Sequence, residues 1–189
     1  QAEWLWDRFR RVWRGDPTPH AIAASFADCL TNCVRRYSGR HSPRNADGTK
    51  RELRNYWATP RPLLQAFKKG LNTATELFSS PLNAFPGFSH HWTPDASDRV
   101  FGSDTDSFAH WWSGSSYLNP EYEVGDLLRA VSHALHSTGR EEPSLLCAVI
   151  PDYKNARFRR LLRHKRAHIV CSIPQGSFSF LPPENWPFS

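Results

Sequence analysis

From residue 59 to residue 181 the sequence alternates between short strand patterns and short helical patterns. The apolar run 145–150 is typical of a strand buried in a parallel sheet. Helical spacing follows Thr59-Pro60 and ends at Gly70. The predicted order is helix 59–69, strand 74–78, helix 127–137, strand 145–150, basic helix 156–164, and strands 167–173 and 177–181. This alternation predicts an α/β fold with helices on both faces of the sheet, and such sheets bind ligands outside the carboxyl ends of their strands.

Residues 1–55 are predicted to form a basic helical segment followed by a linker. Apolar side chains recur at helical spacing over residues 3–14 and again over residues 22–37. Cys29 and Cys33 lie one turn apart on the second apolar stripe, where cysteine usually packs as a small hydrophobic residue. Residues 38–55 contain almost no apolar side chains. We therefore place a domain boundary there, with a second domain over residues 56–189.

Composition narrows the class of protein. Eight Trp and twelve Phe supply a substantial core, which excludes wholesale disorder. No apolar run approaches the roughly 18–20 residues of a membrane span, so no membrane partner is predicted. Four cysteines without zinc-type spacing favour a reducing, intracellular compartment and no metal site.

Charge is distributed unevenly along the chain. Residues 1–70 carry 14 Lys and Arg against 6 Asp and Glu, residues 71–145 carry 3 against 10, and residues 146–189 carry 7 against 2. The two basic ends are candidates for binding a phosphate backbone, although a solvated basic surface explains the charge equally well. Within the predicted basic helix, phosphate contact is assigned to Arg157, Arg159 and Arg160.

Two segments carry candidate chemistry. Ser79-Ser80-Pro81-Leu82-Asn83 follows the first predicted strand and could hold a small polar cofactor, but taken alone it favours an ordinary strand-ending turn. Asn119-Pro120-Glu121-Tyr122 is an arrangement suited to an exocyclic amine. The Asn side-chain carbonyl and the Pro backbone carbonyl each accept one hydrogen of a planar amine, and the aromatic ring stacks on the base. A surface loop with a tyrosine is the alternative.

The run from residue 57 to about residue 181 resembles the adenine-N6 methyltransferases of the phage Dam type. It resembles more closely the cap-specific adenosine N6-methyltransferase family, first described as interactors of the phosphorylated RNA polymerase II tail. Segments similar to the family's motifs occur in the same order along the chain. They are Trp57-Ala58-Thr59-Pro60, Glu76-Leu77-Phe78-Ser79-Ser80-Pro81-Leu82-Asn83, Pro94-Asp95 with Phe101-Gly102-Ser103, Ser113-Gly114-Ser115 with Asn119-Pro120-Glu121-Tyr122, and Cys147-Ala148-Val149-Ile150-Pro151-Asp152-Tyr153.

The resemblance implies a Rossmann-like class I methyltransferase sheet that binds S-adenosyl-L-methionine. It implies N6-methylation of adenosine in RNA, most closely at the mRNA cap, and a nuclear location. Asn119 and Pro120 would orient the amine, Glu121 would lie in the same catalytic loop, and Tyr122 would stack on the base. The implied cofactor-binding residues are Thr59, Pro60, Ser80, Pro81, Asn83, Phe101, Gly102 and Ser103. An acidic residue among Asp95, Asp98, Asp104 and Asp106 is a candidate for the cofactor's hydroxyls or amine.

One residue departs from the family pattern, which has a second proline where this chain has Glu121. Pro120, whose carbonyl binds the amine, is retained. The departure leaves open a catalytically inactive scaffold or nucleic-acid-binding subunit. A DNA adenine-N6 methyltransferase of phage or retroelement type is a further alternative. Because no separate target-recognition domain is evident, a protein partner is expected to supply specificity.

Overall fold

The computed structural model describes residues 2–40, 58–174, 176–177 and 180, with side chains described from residue 2 to residue 37 in the first range. The helices are α1 (Ala2–Val12), α2 (Pro19–Arg40), α3 (Arg61–Leu71), α4 (Val124–Ser137) and α5 (Phe158–Leu161). The strands are β1 (Thr75–Glu76), β2 (His90–Thr93), β3 (Asp104–Thr105), β4 (Gly114–Leu118) and β5 (Ser144–Ala148). Two short 3-10 helices span Ala96–Phe101 and Ser107–Ala109.

The five strands form one sheet in the order β3-β2-β1-β4-β5, and every neighbouring pair is parallel. The chain builds β1, β2 and β3 outward on one side and then returns to place β4 on the other side of β1. The direction of strand addition therefore reverses between β1 and β4. The predicted α/β class is confirmed.

Helices cover both faces of the sheet because successive strand residues point to opposite faces. Tyr117 of β4 packs with Leu64 of α3 on one face. Its neighbour Leu118 packs with Ala130 of α4 on the other. The start of α3 follows the expected chemistry, since Pro60 is the N-cap and a further proline occupies the first turn.

The helical segment 2–37 packs onto the β2–β3 side of the sheet. Leu5 and Phe9 of α1 form a buried cluster with Leu82 and Phe101. The Arg8 guanidinium donates to the backbone carbonyls of Phe101 (2.9 Å from Nε) and Gly102. Helix α1 is thus joined to the sheet region by both apolar and polar contacts. Residues 41–55 of the predicted linker lie outside the described residues, while residues 38–40 end α2.

β5 differs from the prediction of a strand buried over residues 145–150. It ends at Ala148 and lies at the edge of the sheet, with the Leu145 side chain 47% exposed. A fully buried parallel strand has a strand on each side and a helix over each face, and in the described ranges β5 pairs only with β4. An apolar run identifies the strand but not its position in the sheet.

Two further predictions about the C-terminal region are wrong. Residues 167–173 form no strand, because no strand lies alongside them to satisfy their backbone groups in the described part of the chain. The basic helix predicted over residues 156–164 is limited to Phe158–Leu161. Phe158, Leu161 and Leu162 pack against α4, but residues 163–166 read Arg-His-Lys-Arg and offer no apolar side chain to bury. The strand predicted at 177–181 falls largely outside the described residues.

Candidate functional site

The candidate site is the carboxyl edge of the sheet between β1 and β4, where the strand order reverses. Parallel α/β sheets bind their ligands in the crevice at such a position. β1 leads into the loop 79–83, and β4 leads directly into Asn119 and Pro120. The Leu77 amide donates to the Tyr117 carbonyl at 2.9 Å, which keeps the two strand ends adjacent. Two segments that are 36 residues apart in sequence (Asn83 to Asn119) therefore start from neighbouring positions.

The loop 79–83 is held closed by its own polar side chains. Asn83 Oδ1 accepts from the Ser80 backbone amide at 2.6 Å and from the Ser80 hydroxyl at 3.0 Å. The Asn83 backbone amide in turn donates to the Ser80 backbone carbonyl at 3.2 Å. Pro81 is buried, and Leu82 reaches into the cluster formed with α1 and α2. With its oxygen used inside the loop, Asn83 keeps an amino group with which to bind a ligand.

Glu76 lies beneath this loop and was not assigned a role from sequence. Its carboxylate is buried and accepts from the Phe85 backbone amide at 2.9 Å, which fixes the far end of the loop to β1. Burial raises the pKa of Glu76 to about 7, although the hydrogen bond from Phe85 acts in the opposite direction. In the sequence Glu76 is a polar residue within the predicted strand 74–78, and nothing near it indicates a contact with Phe85.

The Thr59-Pro60 segment approaches the site through a side-chain contact with β4. The Thr59 hydroxyl is hydrogen-bonded to the Tyr117 hydroxyl, and both groups are buried. Burial raises the pKa of Tyr117 well above its ordinary value, which keeps the phenol neutral. Glu76 and Tyr117 occupy paired positions in β1 and β4 and therefore lie on the same face of the sheet. Thr59, Glu76 and Tyr117 are thus buried polar residues on the α3 side of the sheet, close to the strand ends.

The catalytic segment proposed from sequence follows β4 without interruption. Pro120 is buried, Asn119 is partly buried and Glu121 is exposed. The Tyr122 hydroxyl donates to Asn119 Oδ1 at 2.8 Å, and the Tyr122 ring packs with residues of α4 and lies edge-on to Phe180. Burial, assisted by Tyr153, raises the pKa of Tyr122, so its hydroxyl remains a donor. Asn119 Oδ1 has a second lone pair with which to accept from an amine.

Phe101, Gly102 and Ser103 occupy a different part of the sheet. They precede β3 and so approach it from the amino side, whereas residues 80–83 follow β1 at the carboxyl side. Phe101 is fully buried, and the Ser103 hydroxyl is hydrogen-bonded to His91 Nε2 at 2.7 Å. Gly102 and Ser103 also line an open cavity of about 440 Å³ beside the edge strand β3. Phe101 reaches loop 79–83 through the buried cluster that it shares with Leu82, while Gly102 and Ser103 lie beside β3, on the opposite side of β1 from β4.

The four candidate aspartates have different environments. Asp98 is fully buried, accepts from the Tyr37 hydroxyl at 2.6 Å and is paired with Arg36. Asp95 follows β2 at the carboxyl edge, caps the 3-10 helix Ala96–Phe101 and lies 3.1 Å from Arg36 Nε. Asp104 and Asp106 are exposed. Asp98 therefore has a structural role, and Asp95 is the one of the four that follows most closely after β2, the strand next to β1.

The three candidate phosphate-binding arginines follow β5 and lie on the same edge of the sheet as the crevice. Arg157 is exposed at the N-cap of α5, and Arg160 is exposed within the helix. Arg159 is paired with Asp152 at 3.2 Å and donates to the Lys154 carbonyl. Arg157 and Arg160 are thus better placed to contact phosphate than Arg159, which would first have to leave its carboxylate.

No protein-family model matches the chain, and no curated protein matches it either. Within the described ranges no helix is long and apolar enough to cross a membrane, and no cluster of three His, Cys, Asp or Glu side chains is arranged to hold a metal ion.

Replacement of Glu76 by glutamine is expected to flatten the pH dependence of stability. The folded pKa of about 7 exceeds the ordinary value of 4.5, so Glu76 contributes most to stability below pH 4.5, and this contribution is lost as the pH rises through 7. Between pH 4.5 and pH 7 the free energy of unfolding of wild type should fall by about 3 kcal/mol more than that of Glu76→Gln, because each pKa unit corresponds to about 1.4 kcal/mol. Urea unfolding followed by tryptophan fluorescence at a series of pH values measures this difference.

The comparison between the two proteins isolates Glu76 from other titrating groups. Burial lowers the pKa of His91 to about 3, and the charges of Arg8 and His90 add to this effect. Because the ordinary pKa of histidine is 6.5, His91 makes the free energy of unfolding fall as the pH drops below 6.5. That contribution is common to wild type and variant. Glu142→Gln, at an exposed position, is the matched control. Parallel pH profiles for wild type and Glu76→Gln would contradict the assignment of a buried, titrating Glu76.

Proposed function

We propose that this protein transfers a methyl group from S-adenosyl-L-methionine to the N6 amine of adenosine in RNA, at a cap-proximal position. The observation that carries the proposal is the position of Asn119 and Pro120 at the carboxyl end of β4, beside the closed loop that follows the central strand β1. The motif resemblance supplies the identity of the reaction. The geometry supports it because amine-binding and cofactor-binding candidates meet at one edge of the sheet.

Asn119 and Pro120 hold the target amine in this proposal. The Asn119 side-chain oxygen and the Pro120 backbone carbonyl each accept one amine hydrogen, which orients the nitrogen lone pair toward the methyl donor. Tyr122 donates to the same Asn119 oxygen and fixes the orientation of the amide. The proton lost by the amine after transfer leaves to solvent, and no strong base is required.

The residues of the crevice suit a small polar cofactor. Loop 79–83 is preorganised by the Ser80–Asn83 hydrogen bonds, Thr59 and Tyr117 are joined by a buried hydrogen bond, and Asp95 adds a carboxylate at the neighbouring strand end. When bound, S-adenosyl-L-methionine supplies an electrophilic methyl group. Phe101 supports this crevice indirectly, through the buried cluster that it shares with Leu82 of the loop.

An RNA substrate agrees with the charges along this edge. Arg157 and Arg160 extend the site beyond β5, and Arg61 is exposed at the start of α3 immediately after Thr59-Pro60. Phosphate groups gain affinity from such side chains by counterion release. The target adenine has to be single-stranded or flipped out, because its amine is inaccessible within a stacked duplex.

Methyl transfer from labelled S-adenosyl-L-methionine to capped RNA, uncapped RNA, single-stranded DNA and duplex DNA tests the proposal. Digestion to nucleosides with mass detection should give N6-methyladenosine from capped RNA. Product from DNA alone would support the DNA adenine methyltransferase alternative. If the cofactor binds without transfer to any substrate, the assay is repeated with candidate specificity partners. If the cofactor does not bind, methyltransferase function is excluded and the scaffold alternative replaces it.

Glu121 decides between an active enzyme and an inactive scaffold. The residue is exposed in the loop after β4, where the pattern of the adenine-N6 methyltransferases that the chain resembles has proline. Glu121→Pro should raise methyl transfer several-fold if the glutamate impairs the loop, and should leave it unchanged if the loop already works with glutamate. A scaffold that binds no cofactor would remain inactive in both forms.

A further inference from the structure

The outer edge of β5 is unusually unprotected. β5 has the sequence Ser-Leu-Leu-Cys-Ala, with no charged residue and no proline, and within the described part of the chain its only strand partner is β4. Proteins normally protect such edges with charges, prolines or bulges, because the free amide and carbonyl groups pair readily with another strand. Leu145 on this strand is 47% exposed. The edge therefore has both the hydrogen-bonding groups and the apolar surface to accept a further strand.

The same chain carries an unpaired segment with the composition of a strand. Residues 167–173 read Ala-His-Ile-Val-Cys-Ser-Ile, and β-branched residues of this kind favour strands. Ile169 is 67% exposed, Val170 93% and Ile173 47%, so the segment buries little apolar surface in the single chain. It follows α5 without forming a strand. Among the described residues, the outer edge of β5 and the segment 167–173 thus both lack a strand partner.

We propose that two copies of this chain associate by pairing segment 167–173 of each copy with β5 of the other. Because each copy supplies both elements, the exchange is reciprocal and closes as a twofold dimer, the commonest symmetry of soluble oligomers. The pairing satisfies the backbone groups of both elements and covers the exposed side chains of Leu145, Ile169 and Val170. This inference does not depend on the proposed methyltransferase activity.

Charges next to the two elements agree with a parallel pairing. Glu141 and Glu142 precede β5, and Lys165 and Arg166 precede the segment, so a parallel register brings opposite charges together. Within one chain Arg166 already lies against Gly139, close to the start of β5, and yet the segment does not continue along the strand. In the described residues the segment does not pair with β5 of its own chain, so a second copy is the source of the added strand in this proposal.

Light scattering and analytical ultracentrifugation over a wide concentration range test the proposal. Wild type should form a dimer, and the double variant Ile169→Asp/Val170→Asp should weaken the dimer by at least roughly tenfold in dissociation constant, since charges would be buried in the interface. Both side chains are exposed in the single chain, so circular dichroism should show an intact fold. Leu71→Asp, at an exposed apolar position on α3, is the matched control and should dimerise like wild type.

The cysteines of the two elements identify the contact. Cys147 lies in β5 and Cys171 in the segment, and both are free thiols. Mild oxidation of a mixture of ¹⁴N and ¹⁵N protein should give Cys147–Cys171 disulfides that join peptides of different isotopic label. A single-chain mass at every concentration, a dimer unaffected by the double variant, or disulfides confined to peptides of one label would overturn the proposal.

Discussion

The Asn119→Ala variant is expected to lose methyl transfer by roughly 10²–10³-fold in kcat, the size of effect produced by removing one preorganised hydrogen-bonding group from an active site. Alanine removes the side-chain oxygen that accepts the amine hydrogen, and only the Pro120 carbonyl remains to orient the amine. Binding of S-adenosyl-L-methionine should change little, because the loop 79–83 is held by its own Ser80–Asn83 hydrogen bonds. Single-turnover transfer and calorimetric cofactor binding measure the two quantities separately.

Two further variants sharpen this prediction. Tyr122→Phe keeps the ring but removes the hydroxyl that donates to Asn119 at 2.8 Å. Because this removes about one neutral hydrogen bond, the rate of methyl transfer should fall roughly five- to tenfold. Asn155→Ala, in an exposed turn before α5, is the matched asparagine control and should behave as wild type. Full activity in Asn119→Ala would remove Asn119 from the mechanism.

The Asp98→Asn variant is expected to have the largest effect on stability. Asp98 is fully buried and accepts from Tyr37 at 2.6 Å while pairing with Arg36, so it connects α2 to the 3-10 helix Ala96–Phe101. Loss of the carboxylate leaves the buried Tyr37 hydroxyl poorly paired and leaves Arg36 without its closest charged partner. Because Arg36 is partly exposed, we expect the free energy of unfolding to fall by about 3 kcal/mol, the low end of the range for a broken buried ion pair. Urea unfolding followed by tryptophan fluorescence provides the measurement.

The position of the lost interaction adds a second expected result. Because Arg36 and Tyr37 both belong to α2, the amides of α1 and α2 should exchange hydrogen faster in Asp98→Asn, while those of α4 should change less. Asp106→Asn is the matched control, since Asp106 is exposed and has a left-handed backbone conformation that asparagine tolerates. Equal unfolding free energies for Asp98→Asn and wild type would show that the Arg36–Tyr37–Asp98 contact is energetically unimportant.

The sequence identified parts of the candidate site that follow strands and missed the parts that support them. Asn119 and loop 79–83 were recognisable because turn residues and amine-binding groups are contiguous in the chain. The contacts of Glu76 with Phe85 and of Thr59 with Tyr117 were not recognisable, because each depends on the folded position of a residue elsewhere in the sequence. The prediction for Phe101, Gly102 and Ser103 came from resemblance alone, and their approach from the amino side of β3 could be seen only in the folded sheet.

What the sequence determined by itself was local. Periodicity and capping residues placed α1, α2 and α3, and the alternation of patterns predicted the parallel α/β sheet, because these signals depend on neighbours within a few residues. The tertiary structure decided where each element lies. It placed the apolar β5 at an edge, left residues 167–173 unpaired, and attached the N-terminal helices to the sheet through Arg8 and Arg36. Strand order and buried ion pairs join residues distant in sequence, so only the folded chain brings them together.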